Sequence, residues 1–150
     1  MTKEPMTMKN LCIVLFFFMC TTGPCVAQSL QIKMSGLRNN EGNIRLAFYN
    51  NSKSFDAEVT LFIRKVSKAE LIKNRYLITY RDLKPGVYGI AILDDENTND
   101  KMDYGLILPK EGFGFSDYYH SGMTRPVFEK FDFVLKQGED KTVEIKVRYL

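Results

Sequence analysis

The chain has 150 residues, 45% of them hydrophobic and 26% charged, the composition of one globular domain rather than of a disordered, collagenous or coiled chain. Twenty-one Lys and Arg against eighteen Asp and Glu leave a formal charge of +3. That is too little for a basic stripe that neutralises a phosphate backbone, so no nucleic acid is expected as a partner.

The first predicted element is a leader. Lys3 and Lys9 precede the apolar run Leu11–Cys20, and Thr21–Ala27 supplies the small residues of a cleavage site. Ten apolar residues at 1.5 Å each span about half of a ~30 Å hydrocarbon core. Residues 1–27 therefore read as a secretory signal peptide, cut after Ala27, and not as a retained membrane helix. Met19 before Cys20 and Pro24 before Cys25 lack the small residue expected before a lipid-acceptor cysteine. The expected mature domain, 28–150, is exported to the periplasm or beyond, without membrane insertion. Cys12, Cys20 and Cys25 all lie in the leader, so the mature chain has no thiol for disulfide, zinc or nucleophilic chemistry. Its nineteen basic and seventeen acidic groups favour neither membranes nor polyanions.

Period-two alternation in Leu30–Met34 and Ile44–Phe48, with the turn-rich Gly36–Gly42 between them, predicts a hairpin or a neighbouring strand pair. Leu61–Val66 adds a strand and Lys68–Lys73 one or two helical turns; the rest of Asn50–Asn74 stays open. Tyr76–Tyr80 leads through Pro85 and Gly86 into Val87–Leu93, which is nearly all apolar and is expected to be buried and central. Phe131–Leu135 and Val143–Tyr149 alternate around Gln137–Asp140 as a closing antiparallel pair. About seven strands without a long amphipathic helix predict an all-β fold, an antiparallel two-sheet β-sandwich in one domain.

Chemistry concentrates after the central strand, where Asp94–Asp103 holds five of the mature chain's acids. Asp95, Asn97 and Asn99 take the first, third and fifth positions of a loop that aims oxygens at a hard cation; Asp103 takes the ninth, and Lys101 at the seventh offers its carbonyl. Ca²⁺ is the expected cofactor of such a loop. Asp100 stands where a glycine eases the sharp turn and Leu106 where a bidentate Glu closes an EF-hand, so a helical EF-hand is excluded. The other reading is a long connection folded by Asx-turns. Downstream, Phe113, Phe115, Tyr118 and Tyr119 either stack on a ligand or, for the two Phe, fold inward to pin the loop, leaving the Tyr pair partly exposed.

Catalytic motifs are absent: there is no Gly-x-Ser-x-Gly, His-Glu-x-x-His or Gly-x-x-x-x-Gly-Lys-Ser/Thr. His120, the only histidine, reads as a solvated side chain. The expected function is a non-enzymatic binding or structural module for a protein or glycan whose identity stays open. The alternative is an extracellular glycan hydrolase using carboxylates of the same loop, such as Asp95 with Glu111.

The blocks Gly36–Arg38, Gly42–Tyr49, Leu83–Ala91, Asp95–Asp103 and Pro109–Ser116, in this order and spacing, resemble a bacterial family catalogued as domain of unknown function 2141. The resemblance implies an exported β-sandwich of the prealbumin-like or immunoglobulin-like kind and brings no activity with it. The family pattern at the acidic loop is His-Asp-Glu-Asn-x-Asn-Gly-Lys-x-Asp, whereas this chain has Asp94 for the His and Asp100 for the Gly. It is also one residue shorter between Asp103 and Pro109, with Ile107 near the usual glycine. A non-glycine at a positive-φ position is strained, although Asp tolerates it better than most residues.

Overall fold

The computed structural model describes residues 28–73 and 75–150; the expected signal peptide lies outside the described residues. Eight strands follow in chain order: β1 (Ser29–Ser35), β2 (Asn43–Tyr49), β3 (Phe62–Ser67), β4 (Leu77–Tyr80), β5 (Gly86–Asp95), β6 (Gly112–Phe115), β7 (Asp132–Leu135) and β8 (Asp140–Lys146). Two short helices, α1 (Ser52–Asp56) and α2 (Lys68–Lys73), and a 3-10 turn over Phe128–Lys130 interrupt them. One sheet has the order β4-β1-β8; the other has the order β3-β2-β5-β6, with β7 also on β5. The fold is an all-β sandwich, antiparallel except where β1 and β8 run parallel.

Burial follows from the alternation. Leu30 and Ile32 of β1, Ile44, Leu46 and Phe48 of β2, Ile90 and Ile92 of β5, and Val143 and Ile145 of β8 face one another between the sheets. The strand Val87–Leu93 is central as its composition predicts: β2 pairs along one edge, while β7 and β6 share the other. Val87 itself departs from the expected burial. It is 40% exposed beside Val134, its 49% exposed partner on β7.

Two expected pairings are corrected. β1 and β2 do not form a hairpin or neighbour one another: β1 lies between β4 and β8, and β2 lies in the opposite sheet. Alternation states which face of a strand is buried, and that is the same whether two strands pair or face each other across a core. At Gly42 the link between them also comes too close to other backbone to tolerate a side chain. A Cβ on Gly42 (φ 75°) would stand 2.1 Å from the Asp95 carbonyl oxygen. Likewise β7 and β8 are not a closing pair, because β7 joins β5 and β8 joins β1.

The strand missing from the expected count is β6. Its Gly-Phe-Gly-Phe sequence has low strand propensity, but a Cβ at Gly112 would strike Val147 and Tyr149 at 2.5–2.7 Å. The glycines let the C-terminal segment cross it, where Phe113 and Arg148 exchange backbone hydrogen bonds. Phe115 and partly buried Phe113 do not enter the inter-sheet core. They join Tyr49, Phe55, Phe128 and Phe131 in a second cluster on the outer face of the larger sheet, and Phe55 stands edge-on to Tyr49 and Phe131 at 5.1 and 4.9 Å. The open stretch after Asn50 supplies α1, capped by Asn51 and carrying Phe55 into this cluster.

Candidate functional site: the acidic loop at the end of β5

β5 ends in two acids that alternation sends to opposite faces, and both are buried. Asp94 meets the ammonium of Lys68, the first residue of α2, at 2.5 Å, with neither side chain open to solvent. The Tyr149 hydroxyl donates to its other oxygen. Burial pushes the Asp94 carboxyl up, while the hydrogen bonds from Lys68 and Tyr149 pull it back. Lys68 also donates to Asn39 Oδ1 at 2.7 Å. Asn39 and Arg38 both reach Glu96, Arg38 through two bonds of 2.7 Å. This fork holds the Glu96 carboxyl below the usual carboxylate range, and Arg38 lies over the Tyr149 ring at 4.4 Å.

Asp95, on the other face, closes the loop. Its two oxygens accept the N–H groups of Asn99 and Asp100 at 3.0 and 2.9 Å. Thr98 and Asp100 adopt φ of 60° and 65°, so the sharp turn expected at the sixth position is made by an aspartate in the left-handed region. Asn97 and Asn99 accept the N–H groups two residues ahead of each, from Asn99 and Lys101. Their amide groups also donate to Asp103, at 2.5 and 3.1 Å. Of the five residues expected to hold calcium, the fold thus brings Asn97, Asn99 and Asp103 together, with Asp95 beneath them and Lys101 on the exposed rim. Among the described residues no three carboxylate, histidine or cysteine groups converge on one point; an ion here would take part of its shell from the two amides.

Glu111, just before β6, fastens the loop from below by accepting the N–H groups of Glu96 and Asp103 at 3.2 and 3.1 Å. Burial raises its carboxyl, and these two bonds oppose the shift. Between Asp103 and Glu111 the chain forms a hairpin in which Tyr104 and Pro109 bridge and the Gly105 N–H donates to the Leu108 carbonyl at 2.7 Å. A cleft of about 460 Å³ separates this hairpin from residues 120–126. His120 borders it and is not a freely solvated side chain: its ring pairs with the Thr124 carbonyl and stacks edge-on to Phe115. Tyr119 is exposed and Tyr118 partly buried, as expected.

A family model described as an uncharacterized protein conserved in bacteria (DUF2141) matches residues 32–144. The chain belongs to this family. The DUF2141 span runs from β1 to β8 and contains the whole acidic loop, its hairpin and Glu111. No curated protein and no solved structure matches the chain. The DUF2141 description assigns no activity, so function is argued from the loop. Sequence reading missed Lys68, Arg38 and Tyr149, which meet the loop from 26 to 58 residues away along the chain and leave no local pattern. Glu111 was visible only as an acid; its anchoring role needs the backbone path.

Proposed function

We propose that the mature domain is an exported, non-enzymatic binding module that presents its loop end to an extracytoplasmic partner, and that the 95–103 loop takes up a calcium ion that stiffens this end. The observation that carries the reading is the meeting of Asn97, Asn99 and Asp103. Spaced along the chain, they are brought together by the two left-handed residues and by the two N–H bonds of Asp95. A half-turn of each amide would bring its oxygen toward the same point, at the cost of the bonds those oxygens now accept from the N–H groups of Asn99 and Lys101. Asp95, Asp103, the two amide oxygens and the Lys101 carbonyl would then form an all-oxygen shell, completed by water, of the kind a hard cation takes.

A hydrolase using Asp95 with Glu111 would need a carboxyl free to exchange a proton with substrate. Each of these acids already accepts two backbone N–H groups; a carboxylate has about four acceptor sites, so Asp95 keeps room for a cation while Glu111 serves as the fastener of the loop. Calorimetric titration with Ca²⁺ tests the reading. We expect a dissociation constant on the order of 10⁻⁴–10⁻³ M, as in other extracellular modules, and loss of the heat in Asp103→Ala. Turnover of a polysaccharide that disappears in Asp95→Ala would instead establish the hydrolase.

A further inference from the structure

We propose that the 104–109 hairpin is a docking element that seats Leu106 and Ile107 in the interfacial layer of an anionic lipid bilayer. It rests on the reading of the loop end as the recognition end and names the partner.

With Tyr104 and Pro109 bridged and the Gly105 N–H bonded to the Leu108 carbonyl, Leu106 and Ile107 lie at the tip of the hairpin. Turns favour Gly, Asn, Asp or Pro there; this one carries two aliphatic side chains, 105% and 86% exposed. Both side chains stand almost entirely in solvent. Tyr104, Leu108, Met123 and Leu150 are exposed around the same cleft, so the tip crowns a contiguous apolar patch of the kind that marks an interaction site.

Shape and charge select the partner. A stable protein interface takes roughly 800 Å² from each side around a packed aromatic or arginine anchor, whereas the two most exposed apolar residues here are aliphatic. A bilayer requires only that aliphatic side chains pass the headgroups, and binding then grows with the apolar area buried and with attraction to anionic lipid. Tyr104, at the base of the hairpin, occupies the level where an amphipathic ring sits in an interface. Lys101 precedes the hairpin and Lys110 follows it, neither in an ion pair among the described residues. The acids are set back: Asp94, Asp95 and Glu111 are buried, Glu96 and Asp100 are paired with Arg38 and Lys65, and Asp103 is bonded to the Asn97 and Asn99 amides. Among the described residues no helix is long and apolar enough to cross a membrane; what the hairpin offers is shallow, peripheral docking.

The chain contains no tryptophan, so Leu106→Trp in the full chain reports from the tip alone, whatever the leader does. With vesicles of phosphatidylglycerol and phosphatidylcholine we expect blue-shifted emission, quenching by brominated acyl chains, and at least ten-fold weaker partition when Ile107→Asp is added. Emission that stays that of a solvated indole at saturating lipid would overturn the proposal. So would a blue shift that grows with protein concentration without vesicles, which would assign the tip to a protein contact. Calcium titration on the same sample separates the two readings. An unshifted indole beside a measurable heat of calcium binding defeats docking and leaves the loop reading standing; a lipid-dependent shift without that heat supports docking and defeats the calcium loop.

Discussion

Lys68, at the start of α2, and Asp94, near the end of β5, meet at 2.5 Å with side chains 1% and 0% exposed. Both charges have left water, and each is tolerable only because the other is there. Lys68→Met should therefore destabilise the domain by about 3–5 kcal/mol, since it strands a buried carboxylate. Adding Asp94→Leu should recover part of the loss, because the stranded carboxylate is removed while the Tyr149 hydroxyl loses its acceptor. Urea unfolding of the two variants checks this; a double mutant as unstable as the single would show that the pair is not the cause.

Glu111 spans the two ends of the acidic loop, and its amide analogue can accept only through one oxygen. In Glu111→Gln the NH₂ group faces a backbone donor, which leaves one N–H of Glu96 or Asp103 unpaired at a cost of about 1–3 kcal/mol. Amide hydrogen exchange should quicken at Glu96 and Asp103 while Ile44, Leu46 and Ile90 in the core keep their protection. Equal acceleration across the core would show that Glu111 supports the whole sandwich rather than the loop.

The Arg38–Glu96 fork makes the loop base acid-sensitive. The Glu96 carboxyl is held down in the fold, so its contribution is fully present above the ordinary carboxylate value of about 4.3 and is lost as pH falls through the depressed folded value. The Arg38 side chain is 45% exposed, so solvent screening limits the gain to no more than about 1 kcal/mol. Wild type should be more stable than Glu96→Gln at neutral pH, and the two should converge in acid; a gap that persists at pH 2 would contradict this.

Asp100 makes the sharp turn with φ 65°, a region that costs a side-chain-bearing residue roughly 1–2 kcal/mol and glycine almost nothing. Its pairing with Lys65 is half exposed and offsets little. Asp100→Gly should leave stability unchanged or raise it by up to about 1 kcal/mol, and Asp100→Val should lower it. Thermal melts of the two variants give the comparison, and a Val variant as stable as the Gly variant would remove the strain argument.

Composition and alternation carried the fold class and the central place of β5, because both follow from which faces need cover. Strand pairing did not follow: Leu30–Met34 and Ile44–Phe48 bury the same faces whether they are neighbours or opposite walls. β6 was hidden because its glycines serve the C-terminal crossing rather than strand propensity. At the candidate site, spacing pointed to Asp95, Asn97, Asn99 and Asp103, since loop chemistry is local. It could not point to Lys68, Arg38 or Tyr149, whose relation to the loop exists only in three dimensions.

The loop's uptake of calcium is tested most directly by thermal unfolding of wild type and of Asp95→Ala/Asp103→Ala, each in millimolar Ca²⁺ and in chelator. A cation that binds the folded loop and not the unfolded chain adds about 1.4 kcal/mol at ten-fold excess over its dissociation constant, which raises the melting temperature of a domain this size by roughly 3–8 °C. Wild type should show that rise and the double variant should not. A wild-type melting temperature that is the same in both buffers would contradict the account and leave the segment a turn held by its own Asx bonds.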